Sequence, residues 1–391
     1  MEAKSSAAMD ARENADLLPF PLNHLSNTLS RLASFYKDDA VEDHHEEEDD
    51  EMDNSFVFQI DQNLLIDPSL LSIDNDNMIG EGSYSTVHKG LYQNKAVAVK
   101  IIQPSHASAV TREHKEKFQR EVLVLSKMDH ENIVKFIGAT LEPSLMIVTE
   151  IMEGKTLQKY LWSVRPQRLE LKVSITLALD ISRAMEYLHA NGIIHRDLKP
   201  SNLLLTADRM KIKLADFGLA REEDTDGMTC EAGTLRWMAP ELYSRDPLPV
   251  GAKKHYDHTV DVYSFSLVLW ELLTNKAPFK GTHNVSAAYA ASKNVRPSVE
   301  ELPEEVASLL QSCWAADPKT RPEFKEVTAA LTDFLEALCL TVETKPPKIA
   351  EIMDRSDQSP TEEEAARATG SRKHKASGVF LACWEDCLSC D

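Results

Sequence analysis

The amino-acid sequence predicts an α+β fold of two lobes, a small antiparallel β lobe with one main helix and a larger, mainly helical lobe, with flexible tails at both ends. Three observations carry this prediction. Residues 78–102 read as Val-, Ile- and Tyr-rich strands broken by turns. Residues 111–128, and most of the chain after about residue 154, switch to helical spacing of apolar positions. The ends, residues 1–63 and 341–391, are polar or biased in composition.

Residues 1–63 are predicted to stay mostly disordered, because so polar a stretch buries too little apolar surface to offset the entropy of ordering. Eleven of the sixteen residues 38–53 are acidic, and they carry over half of the net charge of −20. Spaced Leu and Phe residues between positions 17 and 36 fit a short amphipathic helix or a local apolar cluster. The pattern tightens at residue 56, and ordered segments are expected over residues 73–338, the first lobe at about 73–150 and the second at about 154–338. MIGEGSYSTVHKGLY and KAVAVKII are the first strands; the helix TREHKEKFQREVLVLSKM follows, with Phe118, Val122 and Leu125 near one face. NIVKFIGATL and SLMIVTEI complete the β lobe, and residues 150–154 form the hinge. Long helices follow, LKVSITLALDISRAMEYLHANG and HTVDVYSFSLVLWELLT among them.

The acidic balance argues against nucleic acid as a partner, since polyanions select clustered Lys and Arg. No run approaches the roughly 20 apolar residues that span a bilayer, and the N-terminus lacks the apolar core of a signal peptide, so cytoplasm or nucleus is the expected location. Cys230, Cys313 and Cys339 are scattered and do not resemble a disulfide framework.

Five segments carry residues suited to phosphoryl transfer, which needs phosphates held, charge neutralised by a divalent cation and a hydroxyl aimed in line. GEGSYSTV, residues 80–87, is a glycine-rich turn between strands, where missing side chains let backbone N–H groups approach phosphates; alone, it also suits a plain hairpin. Thirteen residues after Val87, AVAVK ends in Lys100, placed to hold phosphates. Glu121, beside Phe118 and Leu125 at i−3 and i+4, can face inward toward that lysine; Glu113 and Glu116 are its competitors, nearer the polar start of the helix. In IIHRDLKPSNLLL, Asp197 can accept or orient a hydroxyl proton, Lys199 can neutralise the transferring phosphate and Asn202 offers Mg²⁺ an amide oxygen. Fourteen residues past Asn202, ADFGLA places Asp216 to chelate Mg²⁺ and Gly218 to free the backbone.

In this order the motifs resemble a eukaryotic protein kinase, from about residue 73 to 338. Further matches are GTLRWMAPE ending at Glu241, DVYSF starting at Asp261 and CWAADPKTRP with Arg321, which in the family pairs with Glu241. RWMAPE and DVYSF are similar to the tyrosine-kinase-like branch, and the domain most resembles plant Raf-like kinases of the MAP-kinase-kinase-kinase type. The resemblance implies the two-lobed kinase fold, with ATP and Mg²⁺ (Mn²⁺ as the alternative) as cofactors. It implies ATP contacts at Ile79, Gly80, Glu81, Gly82, Ser83, Tyr84, Ser85, Thr86 and Val87, at Ala98, Lys100 and Leu204, and at the hinge backbone of Glu150 and Met152, with Thr149 as gatekeeper. Leu125, Phe136, His195 and Phe217 map to the stacked spine that couples the lobes, with Asp261 beneath. One position departs: Ser85 stands where the family has its third glycine.

DLKPSN, and Thr234 at the family position that bonds Asp197 and Lys199, imply a Ser/Thr kinase acting on protein substrates. Transfer to tyrosine stays open because RWMAPE and DVYSF are shared with tyrosine kinases. An inactive scaffold is disfavoured by the complete catalytic set. Activation is expected through phosphorylation of Thr229, then Thr225, read by Arg196, with a constitutively ordered loop as the alternative. Lys253, Lys254 and His255 form a basic run that suits an acidic partner, the chain's own acidic tract in an autoinhibited form, or plain solvent. At the C-terminus Arg372, Lys373 and Lys375 precede Cys383, Cys387 and Cys390, a combination suited to S-acylation and peripheral membrane association, to a metal held with His374 though a clear fourth partner is lacking, or to a disordered tail. Nothing in the sequence sets an oligomeric state.

Overall fold

β3 shows how the first lobe is built. Lys95–Ile102 alternates, so that Val97, Val99 and Ile101 bury on one face while Ala98 and Lys100 project from the other. The computed structural model describes residues 56–82, 84–102, 110–222, 235–243 and 254–343. Around β3 an antiparallel sheet forms in the order β1-β2-β3-β5-β4, from β1 (Leu71–Glu81), β2 (Ser85–Tyr92), β4 (Phe136–Thr140) and β5 (Met146–Glu150). The β2–β3 turn is tight, with Gln93 and Asn94 both at positive φ (49° and 64°), the handedness a twisted hairpin demands. Val97, Val99, Ile101, Met146 and Val148 form a small core on the outer face, under Ile66, Leu71 and Ile73. Against the other side lies α1 (Arg112–Ser126), started by a Thr111–His114 capping box and burying Phe118, Glu121, Val122, Val124 and Leu125.

The second lobe follows the hinge: α2 (Leu157–Val164), α3 (Leu171–Ala190), then short strands β6 (Ile193–Ile194), β7 (Leu203–Leu205), β8 (Ile212–Leu214) and β9 (Arg221–Glu222), pairing as β6 with β9 and β7 with β8. Next come α4 (Thr259–Thr274), α5 (Asn284–Ser292), α6 (Glu304–Cys313) and α7 (Phe324–Glu343). α4 is apolar nearly all round and every one of its residues is buried, which makes it the axis of this lobe. Up to Leu340 these elements form one compact unit. The α+β, two-lobed expectation therefore holds.

Two details differ from expectation. NIVKFIGATL is strand only from Phe136: residues 132–134 leave the sheet for the second lobe, where Val134 N–H donates to the Leu214 carbonyl (3.0 Å) and Leu214 N–H to the Asn132 carbonyl (2.8 Å). Ahead of the sheet, where residues 1–63 were expected to stay mostly disordered, Phe58, Ile60 and Leu64 pack against the main core, with Leu65 beside them. Residues 1–55 and 344–391, which contain the acidic tract and the terminal cysteines, lie outside the described residues, as do Ser83, Thr225, Thr229, Thr234 and Lys253. Among the described residues no helix is long and apolar enough to cross a membrane.

Candidate active site

Paired residues in a sheet share a face, so the register of Val87 opposite Lys100 and Ala98 opposite Thr149 sets all four on the side of β3 away from the small core. Lys100 Nζ lies 2.9 and 2.8 Å from the two carboxylate oxygens of Glu121 and 3.0 Å from Asp216 Oδ1. Glu121 is the partner because it sits on the buried stripe of α1. Glu113 instead pairs with Lys117 (2.7 Å) and Glu116 with Arg112 (3.2 Å) on its outer side. Burial opposes the charge of Lys100, yet Asp216 and Glu121 hold its ammonium well above the ordinary value. Burial would likewise raise Asp216; Lys100 overrides it and holds the carboxyl at about 2. Glu121 is pushed upward by burial, against the pull of Lys100.

Across the cleft, Lys199 Nζ contacts Asp197 Oδ2 at 2.7 Å, while Asn202 Nδ2 donates to the Asp197 carbonyl (2.9 Å) and Oδ2 (3.0 Å). The loop carrying them hangs from Asp261 on α4, whose carboxylate accepts from the backbone N–H of His195 and of Arg196, both at 2.8 Å, and faces His189 Nε2 at 3.0 Å. Arg196 and Asp216 both adopt positive φ (66° and 61°), a conformation uncommon for residues with side chains, in the two segments that carry the candidate site. His195 and Phe217 stack edge to face at 5.3 Å in the same core as Leu125, with Phe136 packed against it. Leu204 is partly buried on β7, and a bridge from Leu204 to Thr156 ties β7 to the end of the hinge.

The sequence profile of the family described as protein tyrosine and serine/threonine kinase matches residues 73–331. The chain belongs to the protein kinase family. It is similar to the serine/threonine/tyrosine-protein kinase HT1 of Arabidopsis thaliana, 41% identical over 267 residues, which are 67% of this chain and 66% of that protein. Against the serine/threonine-protein kinase STY17 of the same plant it is 40% identical over 258 residues, 65% of this chain and 43% of the relative. Against the serine/threonine-protein kinase TNNI3K of Rattus norvegicus it is 36% identical over 319 residues, 79% and 36% of the two chains. This kinase thus spans 66% or less of the length of each of these relatives. They place it in the tyrosine-kinase-like branch, as RWMAPE and DVYSF implied.

Among the kinase's described residues no group of three or more His, Cys, Asp or Glu side chains could hold a metal. Mg²⁺ needs no such cage, because it binds through one or two protein oxygens plus waters and phosphates. Asp216 fits: its carboxylate stays ionised, and Lys100 engages it at Oδ1. Asn202 fits as well, since its amide nitrogen is committed to Asp197 and its oxygen is the atom left to offer.

Several contacts of this kinase were not legible beforehand. Glu150 was expected to act through its backbone, but its side chain also takes Lys213 Nζ of β8 at 2.6 Å and the Lys135 N–H at 2.7 Å, a tie between the lobes. Arg196 Nε donates to the Leu219 carbonyl and its Nη1 to the Tyr256 hydroxyl, each at 2.7 Å. Lys254 is turned inward, its ammonium donating to the carbonyls of Glu241, Leu242 and Tyr243 at 3.0–3.1 Å. Glu241 in turn forms a two-pronged pair with Arg321 at 2.6 and 2.9 Å. Arg236 of RWMAPE donates to the carbonyls of Pro278, Phe279 and Thr282 and fixes the loop before α5. Tyr84 folds under the glycine-rich turn, stacked on His114 at 5.9 Å with the Lys100 ammonium 5.5 Å from its ring, and burial pushes its phenol upward. Its hydroxyl lies where a Cβ at position 218 would go, so Gly218 here answers to close approach.

Proposed function

We propose that this kinase transfers the γ-phosphate of ATP to serine and threonine hydroxyls of other proteins. The observation that carries the reading is Lys100 bonded to both Glu121 and Asp216, facing a loop in which Asp197, Lys199 and Asn202 are linked to one another. In this account Lys100 grips the α- and β-phosphates and Glu121 holds the lysine in place. Asp197 takes or orients the proton of the attacking hydroxyl, and Lys199 offsets charge on the phosphoryl group in flight. Ile79, Gly80, Glu81, Gly82, Ser83, Tyr84, Ser85, Thr86 and Val87 cover the nucleotide. Ala98, Thr149 and Leu204 border its base, which bonds the backbone of Glu150 and Met152. Asn202 and Asp216 would hold Mg²⁺, or Mn²⁺, which when bound would supply neutralisation of phosphate charge.

Transfer to tyrosine is the second reading, favoured by the 41% identity to a relative named a serine/threonine/tyrosine kinase. Phosphoamino-acid analysis of a phosphorylated generic protein decides between them: phosphoserine and phosphothreonine are expected, and predominant phosphotyrosine sinks the first reading. For location the sequence supports cytoplasm, with nucleus, or a peripheral membrane fraction held by acylated Cys383, Cys387 and Cys390, as the alternatives. A triple Cys→Ser chain that keeps its membrane fraction rules that anchor out.

A further inference from the structure

The residues just ahead of the family domain are wired into its catalytic helix. Residues 56–70 lie outside the stretch matched by the family profile, which begins at residue 73. They form a strap of two short turns, Gln62–Leu64 capped by Asp61 and Pro68–Leu70 capped by Asp67. One end of the strap is fixed to the edge of the sheet. β4 is an edge strand, and the strap pairs with it: Leu65 bridges Ala139 in parallel, and the Ile66 N–H donates to the Ala139 carbonyl at 2.9 Å. Ile66 sits so close over Gly138 that a Cβ there would collide with it. The other end reaches α1. Phe58 stacks edge to face on Phe118 at 5.8 Å, Phe56 stacks on Phe58 at 5.0 Å, and the Gln59 N–H donates to Gln119 Oε1 at 2.5 Å.

Phe118 is fully buried and stands three residues before Glu121, under one turn away on the same face of α1. A force applied at Phe118 is therefore a force on the carboxylate that holds Lys100. We propose that residues 56–66 are an activating strap in which Phe58 is a positioning residue for Glu121. Anchored on β4, the strap presses α1 toward the sheet, so activity is high with Phe58 seated on Phe118 and low with it lifted. The inference rests on the kinase reading of the site, because it assigns Glu121 its task. It also predicts that deleting residues 1–60 lowers activity, since Phe58 is lost along with the acidic tract; point variants keep those two effects apart.

The test uses the full chain, comparing Phe58→Ala with Ile66→Ala. The second trims the side chain that covers Gly138 but keeps the Ile66 N–H bond to Ala139, so the anchor on β4 stays in place and Phe118 is untouched. Amide hydrogen exchange over residues 112–126 and kcat at saturating ATP are measured well below both melting temperatures. Phe58→Ala is expected to speed exchange of α1 and lower kcat by about tenfold each, the effect of about 1.4 kcal/mol, whereas Ile66→Ala changes either less than about twofold. In a Glu121→Gln background Phe58→Ala should cost nothing further, because the residue it positions is already gone. Unchanged α1 exchange in Phe58→Ala, or a full multiplicative loss in the Glu121→Gln background, overturns the proposal. A wild-type chain that transfers no phosphate would instead contradict the function, and the exchange data would still decide the strap.

Discussion

Replacing Glu121 by Gln keeps the shape of the buried side chain and removes its charge. The Glu121 and Lys100 side chains are 3% and 15% exposed, so the pair operates largely out of water. Breaking such a pair costs about 3–5 kcal/mol. Lys100 keeps Asp216 at 3.0 Å, which favours the low end of that range. If about 3 kcal/mol is expressed in the transition state, kcat/KM for ATP falls by about 150-fold, at about 1.36 kcal/mol per decade. The assay is steady-state phosphorylation of a generic protein over a range of ATP concentrations, with Glu113→Gln as control. The Glu113 side chain is 70% exposed beside Lys117, so its loss should change kcat/KM by less than about twofold. A Glu121→Gln enzyme within threefold of wild type, or an equal loss in Glu113→Gln, refutes the assignment of the pair.

Arg321→Met should lower the melting temperature by about 10 °C, because Glu241 is left half-buried without its two-pronged partner; a shift under about 2 °C contradicts this. Lys254→Met removes the donor to three carbonyls beside Glu241 and should raise KM for a protein substrate while leaving KM for ATP unchanged. Gly218→Ala should reduce kcat by displacing Tyr84, and Tyr84→Phe in the same chain should recover part of the loss, since it deletes the hydroxyl in the way; no recovery means the clash lies elsewhere. Asp216 has a depressed folded-state value, so the stability it contributes is present above its unfolded value of about 3.9 and is lost only as pH falls toward about 2. Lys100 is raised, so its contribution is lost only above its ordinary range. Neither group should bend a plot of kcat/KM between pH 5.5 and 8.5 measured for wild type and Asp216→Asn against total enzyme; a limb in that window that disappears in the variant goes against the site electrostatics.

The candidate catalytic groups were readable in the sequence because each sits in a short local pattern. Helical spacing alone set Glu121 on the face of Phe118 and Leu125, and the structure pairs it with Lys100 while Glu113 and Glu116 find partners outside. The two lobes were readable for the same reason, since a period-2 sheet and a wholly apolar helix such as α4 announce themselves in a short window. The contacts that were missed join residues far apart in sequence through side chains with many rotamers. Lys213 reaching Glu150, Arg236 reaching Pro278 and Phe58 reaching Phe118 are of this kind, and no local pattern encodes them. Lys254 is the instructive case: a basic run looks solvated or partner-binding until three carbonyls 11–13 residues away claim the ammonium.

The most direct measurement of the central claim is transfer of labelled γ-phosphate from ATP and Mg²⁺ to a generic protein substrate, wild type beside Asp197→Asn at equal concentration. Wild type should label the substrate, and the variant, whose amide cannot take the hydroxyl proton, should do so about 10²–10⁴-fold more slowly. Equal incorporation by the two chains, or none by wild type, would contradict the mechanism built on Asp197.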